Sequence, residues 1–146
     1  MDPVIARLVA VLGVVVLATL AGRWFQSRDG RVTDAHEDQP RLAPEQLRAL
    51  GVEPASGSTS AVLFGSPTCS PCDTVKDLLR ELEAETPDFR WSYVDAADHL
   101  ELADAHRVRR VPTLLVLDGD GAVTARTAGV PQRDELRRAV GMRLAA

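Results

Sequence analysis

Residues 61–72 read AVLFGSPTCSPC, and this stretch decides the fold because an apolar run leads through a short turn directly into a helix-like segment. The run over 61–65 has no charged residue, which is typical of a strand buried on both faces of a sheet. The segment over 73–85 is amphipathic. Its apolar residues share one helical face: Val75, Leu78, Leu79 and Leu82. A buried strand followed by an amphipathic helix is a basic unit of α/β proteins.

The chain on both sides of this stretch continues the alternation of helix-like and strand-like segments. Helices are predicted over residues 44–50, 98–108 and 132–144, and strands over 89–94, 113–117 and 122–127. The turn DGDG at 118–121 joins the last two strands as a hairpin. In the helix over 98–108, we expect Leu102 and Ala105 to face inward. The sequence therefore predicts an α/β sandwich with a mixed sheet.

Length and composition restrict the possible functions. The chain has 146 residues, of which 45% are apolar, so there is room for one globular domain of about 100 residues and an appendage. The formal net charge of −4 argues against nucleic-acid binding, which requires clustered positive charge. No glycine-rich dinucleotide loop follows a predicted strand, so we expect no cofactor. Electrons for any redox reaction must then come from another protein.

The N-terminal segment is apolar enough to enter a membrane. No charged residue occurs over 8–22, and if the Arg7 side chain extends toward the lipid headgroups, the apolar span covers residues 4–22. This length is just enough for one crossing. Trp24 and Phe25 follow, as aromatic residues do at a membrane–water interface. A single-pass anchor in the cell membrane is predicted, and a buried core helix is disfavoured because the segment is apolar on all sides.

Two properties of this segment stay open. A cleaved secretory signal is the alternative to an anchor, because residues 8–20 have the length of a signal's apolar core. More arginines follow the span than precede it, and by the positive-inside rule this favours a cytoplasmic domain. A signal anchor or a signal peptide would instead place the domain outside. We divide the chain into an anchor or signal segment over 1–22, a charged tether over 23–41 and a domain over 42–146.

The only two cysteines stand three positions apart as Cys69-Ser70-Pro71-Cys72, at the predicted turn from strand to helix. The N-terminus of a helix favours negative charge, and therefore the reactive thiolate form of Cys69. Cys72 lies one turn later and is expected to be buried, so that it attacks only after a mixed disulfide has formed at Cys69. This spacing and position predict a thiol–disulfide site.

A structural disulfide and a metal site are the alternative interpretations of the two cysteines. The loop that a disulfide would close is so short that little chain entropy would be removed. A metal site needs two more ligands. The three histidines, His36, His99 and His106, are expected to face solvent. We therefore predict no metal.

Three separate segments are similar to the thioredoxin family, and the resemblance spans residues 42–144. FGSPTCSPC resembles the active-site turn of the family, YVDAADHLELADAHRVRRVPTLLVL resembles its strand, helix and Val-Pro-Thr segment, and GDGAVTARTAG resembles its final hairpin. The resemblance implies a thioredoxin-like fold, with a central mixed sheet flanked by helices. In this chain, one N-terminal transmembrane helix is expected to precede that fold.

The resemblance implies roles for the residues of the turn. Cys69 corresponds to the nucleophile of the family and Cys72 to its resolving cysteine. Ser70 and Pro71 would tune the redox equilibrium through their effect on the start of the helix. A proline between the cysteines is similar to the reducing members of the family.

The resemblance also implies a substrate-binding edge away from the cysteines. Pro112 corresponds to the cis-proline of the family, which presents the backbone of Val111 to a substrate strand. Gly129 corresponds to the glycine that lets a substrate chain approach closely. These three residues are the candidate substrate-binding residues.

The chain departs from the family pattern at three positions. Thr68 stands where an aromatic residue usually precedes the first cysteine, and Leu63 stands where the preceding strand carries a buried acid. The lysine that accompanies the acid is expected to be replaced by Trp91. Without the acid, the proton of Cys72 must leave by water or by another route.

These features predict a membrane-tethered thiol–disulfide oxidoreductase. Its expected partners are proteins that carry disulfides or dithiols, together with a protein electron donor. One alternative is an exported thiol donor for cytochrome c assembly or for oxidative folding. A second alternative is a non-catalytic module that uses the thioredoxin fold and its substrate edge to bind a partner.

Overall fold

The computed structural model describes residues 3–26, 30–34, 39–53 and 57–144. The helices in these ranges are α1 (Pro3–Gln26), α2 (Pro44–Ala49), α3 (Ser70–Glu85), α4 (Leu100–Ala105) and α5 (Arg133–Leu144). The strands are β1 (Thr33–Asp34), β2 (Thr59–Gly65), β3 (Phe89–Asp95), β4 (Thr113–Leu117) and β5 (Val123–Ala128). The helices and strands predicted from the sequence are all present; β4 has the predicted ends, and the others have shifted ends.

The five strands form one mixed sheet in the order β1-β5-β4-β2-β3. β2 and β3 run parallel, and the other neighbouring strands run antiparallel. β2 lies between β3 and β4 and is buried at every position. Its continuous apolar sequence is therefore explained by its place inside the sheet, and the predicted mixed-sheet α/β fold is confirmed.

Side chains of β2 alternate between the two faces of the sheet and contribute to a core on each face. Ala61 and Leu63 belong to the cluster that includes the apolar faces of α3 and α5. Val62 and Phe64 belong to the cluster that includes buried residues of α2 and α4. Packing against the first cluster fixes α3 on the sheet, so its N-terminus is held close to the end of β2.

The helix predicted over residues 98–108 is shorter than expected and buries a different residue. α4 has six residues, and Ala103 is buried whereas Ala105 is exposed. Arg107 has a positive φ of 51°, and the Val108 amide donates to the Ala103 carbonyl at 2.7 Å. A residue in the left-handed region ends a helix in this way. The predicted inward position of Ala105 is therefore wrong.

Part of the predicted tether over residues 23–41 belongs to regular secondary structure. α1 continues into it, and β1 adds an edge strand to the sheet, where Thr33 pairs with Arg126 and Asp34 with Ala125. The free edge of a sheet offers backbone groups that an extended segment can pair with, and composition does not reveal this. Two stretches of the predicted tether lie outside the described residues: 27–29 and 35–38.

α1 is apolar on all sides, and every residue of its Arg7–Trp24 window is exposed. Its window Arg7–Trp24 is long and apolar enough to cross a membrane, and none of it is buried against the rest of the chain. A membrane span and a signal sequence share these properties. Both interpretations of residues 4–22 are therefore compatible with the structure.

His106 is buried, so the prediction that it faces solvent is wrong. The residue is 2% exposed, and its Nδ1 has no hydrogen-bond partner in the described part of the chain. His99 is exposed, as predicted, and His36 lies outside the described residues. The Arg126 guanidinium donates to the His106 carbonyl at 3.1 Å. Burial lowers the pKa of His106, and the nearby positive charge of Arg126 lowers it further.

The burial of His106 predicts that the protein unfolds more easily at mildly acidic pH. The unfolded chain binds a proton at this histidine as the pH falls through its ordinary pKa of 6.5, whereas the folded protein disfavours the protonated form until a lower pH. The free energy of unfolding should therefore be highest above that pH. Below the ordinary pKa of 6.5, this histidine should lower the free energy of unfolding by at most about 1.4 kcal/mol for each pH unit.

Urea unfolding at about pH 5.5 and about pH 7.5 checks this prediction. His106→Gln should lose less stability between the two pH values than the wild type. His99→Gln changes an exposed histidine of the same chain region and should behave like the wild type. An unchanged pH dependence in His106→Gln would contradict the prediction.

Candidate active site

The two cysteines form a disulfide at the turn between β2 and α3. The bond between Cys69 and Cys72 has an S–S length of 2.08 Å and a Cα–Cα distance of 5.3 Å. β2 ends at Gly65, and the Cys69 amide donates to the Ser66 carbonyl at 3.1 Å, which closes the turn. The Cys72 amide donates to the Cys69 carbonyl at 3.0 Å in the first turn of the helix.

The two cysteines differ in exposure. Cys72 is fully buried, whereas Cys69 is partly exposed, and Ser70 and Pro71 between them are exposed. A thiolate from another molecule therefore reaches Cys69 more easily than Cys72. This asymmetry suits one cysteine that meets the substrate and one that attacks from within the protein.

The N-terminus of α3 sets the electrostatics at the disulfide. Cys69 is the N-cap residue of this 16-residue helix, and Ser70 and Pro71 belong to its first turn. The amides and the dipole at this end of a helix favour negative charge, so reduction of the disulfide leaves the Cys69 sulfur where a thiolate is stabilised. Within the described ranges, no group of three or more His, Cys, Asp or Glu side chains is arranged to hold a metal ion.

A second loop contains the other residues that the sequence singled out. The Val111–Pro112 peptide bond is cis. Pro112 is buried, whereas Val111 is partly exposed. The Gly129 amide donates to the Pro112 carbonyl at 2.8 Å, and Gly129 has a φ of 100°. The structure thus brings the three candidate substrate-binding residues together.

The sheet register puts this second loop next to the disulfide turn. Thr113, the first residue of β4, pairs with Phe64 of β2, and Gly65 follows as the last residue of β2. Pro112 therefore precedes β4 at the end of the sheet where the disulfide turn leaves β2. The seven candidate residues lie in two adjacent places: Cys69, Ser70, Pro71 and Cys72 in one, and Val111, Pro112 and Gly129 in the other.

The structure shows where the positions that depart from the family pattern lie. Leu63 is fully buried and Thr68 is exposed. Leu63 pairs with Tyr93 across the parallel strands, whereas Trp91 pairs with Ala61. Trp91 and Tyr93 are two residues apart on β3, so both lie on the face of the sheet to which Leu63 contributes, with Tyr93 directly opposite Leu63.

Tyr93 belongs to a polar cluster at the disulfide that sequence reasoning missed. A Cβ atom placed on Gly65 would lie 3.0 Å from the Tyr93 Oη and 3.1 Å from the Cys72 Sγ, so both groups border the space that this glycine leaves open. The Lys76 Nζ lies 4.3 Å from the centroid of the Tyr93 ring and 3.2 Å from the Asp73 Oδ1. The residues around this space come from β2, α3 and β3, so no local sequence motif marks the cluster.

Known proteins with related sequences are thioredoxins. Residues 48–141 match the family model of the thioredoxin-like domain. Thioredoxin from Bacillus subtilis (strain 168) is 33% identical over 82 residues, which cover 56% of this chain and 78% of that protein. Thioredoxin from Chlamydia caviae is 31% identical over 77 residues, which cover 53% of this chain and 74% of that protein.

Solved thioredoxin structures share the fold. A thioredoxin variant from Halobacterium salinarum has a TM-score of 0.59 and 24% identity, with 77% of this chain and 96% of that chain covered. Chloroplastic thioredoxin z has a TM-score of 0.57 and 22% identity, with 77% of this chain and 99% of that chain covered. The domain match over residues 48–141, together with the paired cysteines at the start of α3, shows that this chain belongs to the thioredoxin family.

Proposed function

We propose that this protein is a membrane-tethered thiol–disulfide oxidoreductase that exchanges the Cys69–Cys72 pair between its dithiol and disulfide forms with protein partners. The arrangement of the pair carries the proposal. It stands at a helix N-terminus, with Cys69 partly exposed and Cys72 fully buried. Residues 4–22 would keep the domain close to the membrane, and the substrates would be proteins that reach this surface.

In the reducing direction, the Cys69 thiolate attacks a substrate disulfide. A bond forms between the Cys69 Sγ and one substrate sulfur, and the other substrate sulfur leaves as a thiolate. Cys72 then loses its proton and attacks the Cys69 sulfur, which releases the second substrate thiolate and restores the disulfide. Two electrons pass to the substrate, and a protein electron donor then reduces the Cys69–Cys72 bond.

The neighbouring residues would control the equilibrium and hold the substrate. Ser70 and Pro71 lie in the first turn of α3, where they influence how well the helix N-terminus stabilises the Cys69 thiolate. Val111 is partly exposed, and its backbone would offer an edge on which an extended substrate segment can add as a strand. Gly129 has no side chain that would block this approach.

Redox equilibration of the full chain in detergent tests the proposed function. In mixtures of reduced and oxidised glutathione or dithiothreitol, the pair should be half oxidised at a potential between roughly −270 and −120 mV, the range of catalytic pairs of this kind. The reduced chain should also accelerate the reduction of insulin disulfides by dithiothreitol. A pair that stays oxidised at far lower potentials, without insulin reduction, would contradict the proposal. It would support the alternative of a non-catalytic binding module. The presence of Leu63 where the family has a buried acid favours that alternative.

The side of the membrane distinguishes a cytoplasmic reductant from an exported thiol donor for cytochrome c assembly or oxidative folding. The arginine count around residues 4–22 favours the cytoplasm. Cys69 and Cys72 are the only thiols of the chain, so a membrane-impermeant thiol reagent reports their location. Labelling only after cell lysis would support the cytoplasmic reductant. Labelling in intact cells would contradict it and support the exported donor.

A further inference from the structure

Tyr93 is placed to act on the sulfur that resolves the mixed disulfide. Its Oη and the Cys72 Sγ border the same open space above Gly65, at 3.0 and 3.1 Å from the position of a Cβ atom on that glycine. A side chain at residue 65 would fill this space. Its Cβ would also clash with the Tyr93 ring, at 2.5 Å from Cε2. Gly65 thus lets the phenol and the buried sulfur approach the same point.

A thiolate at Cys72 needs a hydrogen-bond donor, because a buried charge without one is costly. Leu63, which pairs with Tyr93 across the parallel strands, is fully buried and offers no polar side-chain atom. The exposed Asp73 carboxylate accepts hydrogen bonds and pairs with Lys76. The phenol hydroxyl of Tyr93 is a donor that borders the open space beside the sulfur.

Lys76 adds a positive charge beside the Tyr93 ring. The Lys76 Nζ lies 4.3 Å from the centroid of the Tyr93 ring, within the range of a cation–π interaction. A positive charge near a thiol favours its thiolate form. Lys76 follows Cys72 by four residues on α3, so the two side chains lie on the same face of the helix.

We infer that the Tyr93 hydroxyl donates a hydrogen bond to the Cys72 sulfur whenever the Cys69–Cys72 bond is open, and that it thereby stabilises the thiolate that closes this bond. This role rests on the proposed exchange reaction. The proton of Cys72 passes to water, and Tyr93 keeps its own proton. The Cys72 thiolate then attacks the Cys69 sulfur, and the bond between that sulfur and the substrate breaks.

The reduced full chain and dithiobis(nitrobenzoate), an aromatic disulfide that yields a coloured thiolate, provide the test. Attack by Cys69 releases one coloured thiolate and forms a mixed disulfide. Attack by Cys72 on this mixed disulfide releases the second coloured thiolate, so the second release reports the resolving step alone. Tyr93 is the only tyrosine of the chain, and Tyr93→Phe removes only its hydroxyl group.

In Tyr93→Phe, the second release should be slower by about tenfold near neutral pH, as expected for the loss of a hydrogen bond to a charged group. The pH midpoint of the second release should rise, and the first release should keep its wild-type rate. Trp91→Phe is the matched control, because Trp91 lies on the same face of β3 and packs against the same core cluster. It should change neither step.

The outcomes separate this role from the proposed function. One outcome is that the wild type releases both thiolates while Tyr93→Phe shows the same rate and pH midpoint of the second release as the wild type. That result would overturn the role of Tyr93 and leave the proposed function intact. An equal slowing of both releases, without a shift in the pH midpoint, would show that Tyr93 is only structural and would also overturn it. A wild-type chain that releases only one coloured thiolate would overturn the proposed function, and the role of Tyr93 with it.

Discussion

In Cys69→Ser, insulin reduction should fall to the uncatalysed rate, whereas Cys72→Ser should accumulate mixed disulfides with its substrates. The reason is the difference in exposure, since Cys69 is partly exposed and Cys72 is fully buried. Without Cys69, the remaining sulfur is shielded from a substrate disulfide. Without Cys72, the mixed disulfide still forms, but no thiolate within the protein resolves it.

Non-reducing electrophoresis of each variant, after incubation with a disulfide-containing substrate, measures the trapped species. Adducts should appear with Cys72→Ser and disappear on addition of dithiothreitol. The variant with both cysteines replaced is the control, because the chain has no other thiol. Adducts that form with Cys69→Ser and not with Cys72→Ser would reverse the roles of the two cysteines. Insulin reduction at the wild-type rate by Cys69→Ser would rule out the mechanism.

The disulfide turn could be predicted because its signals are local. The apolar run of β2, the two cysteines and the amphipathic pattern of α3 follow one another without a gap, and each predicts the structure of its own segment. The order of helices and strands then restricts the fold to a mixed α/β sheet. The position of Cys69 at the helix N-terminus and the burial of Cys72 follow from the same pattern, and both are observed.

The features that escaped prediction depend on contacts between distant parts of the chain. Tyr93 meets the disulfide only through the register of β2 and β3 and the absence of a side chain on Gly65. His106 is buried at the point where α4 ends earlier than the apolar pattern suggested, just before Arg107 with its positive φ. β1 pairs with β5, although the composition around Thr33 is that of a solvated tether. None of these contacts leaves a periodic signal in the sequence.

Gly121→Ala should cause a large loss of stability, because Gly121 contacts Leu42, a residue far away in the sequence. The turn before β5 is evident from the sequence DGDG, but its contact with the start of the domain is not. Gly121 has a φ of 76°, and a Cβ atom there would overlap the Leu42 carbonyl oxygen and lie 3.3 Å from the Leu47 Cδ1. The Leu42 amide also donates to the Gly121 carbonyl at 2.9 Å. Alanine must therefore displace the Leu42 backbone and crowd the Leu47 side chain, as well as adopt an unfavourable backbone conformation.

Gly51→Ala separates the two costs, because Gly51 has a similar φ of 78° and a Cβ atom there would meet no atom within 4 Å. Alanine at that position should bear only the cost of the left-handed backbone, about 1–2 kcal/mol. Overpacking typically adds a further 1–3 kcal/mol, so Gly121→Ala should lower the free energy of unfolding by about 2–5 kcal/mol in urea titrations. If the loss in Gly121→Ala were no larger than in Gly51→Ala, the segment at Leu42 would move aside freely, and the β4–β5 turn would not hold it against the domain.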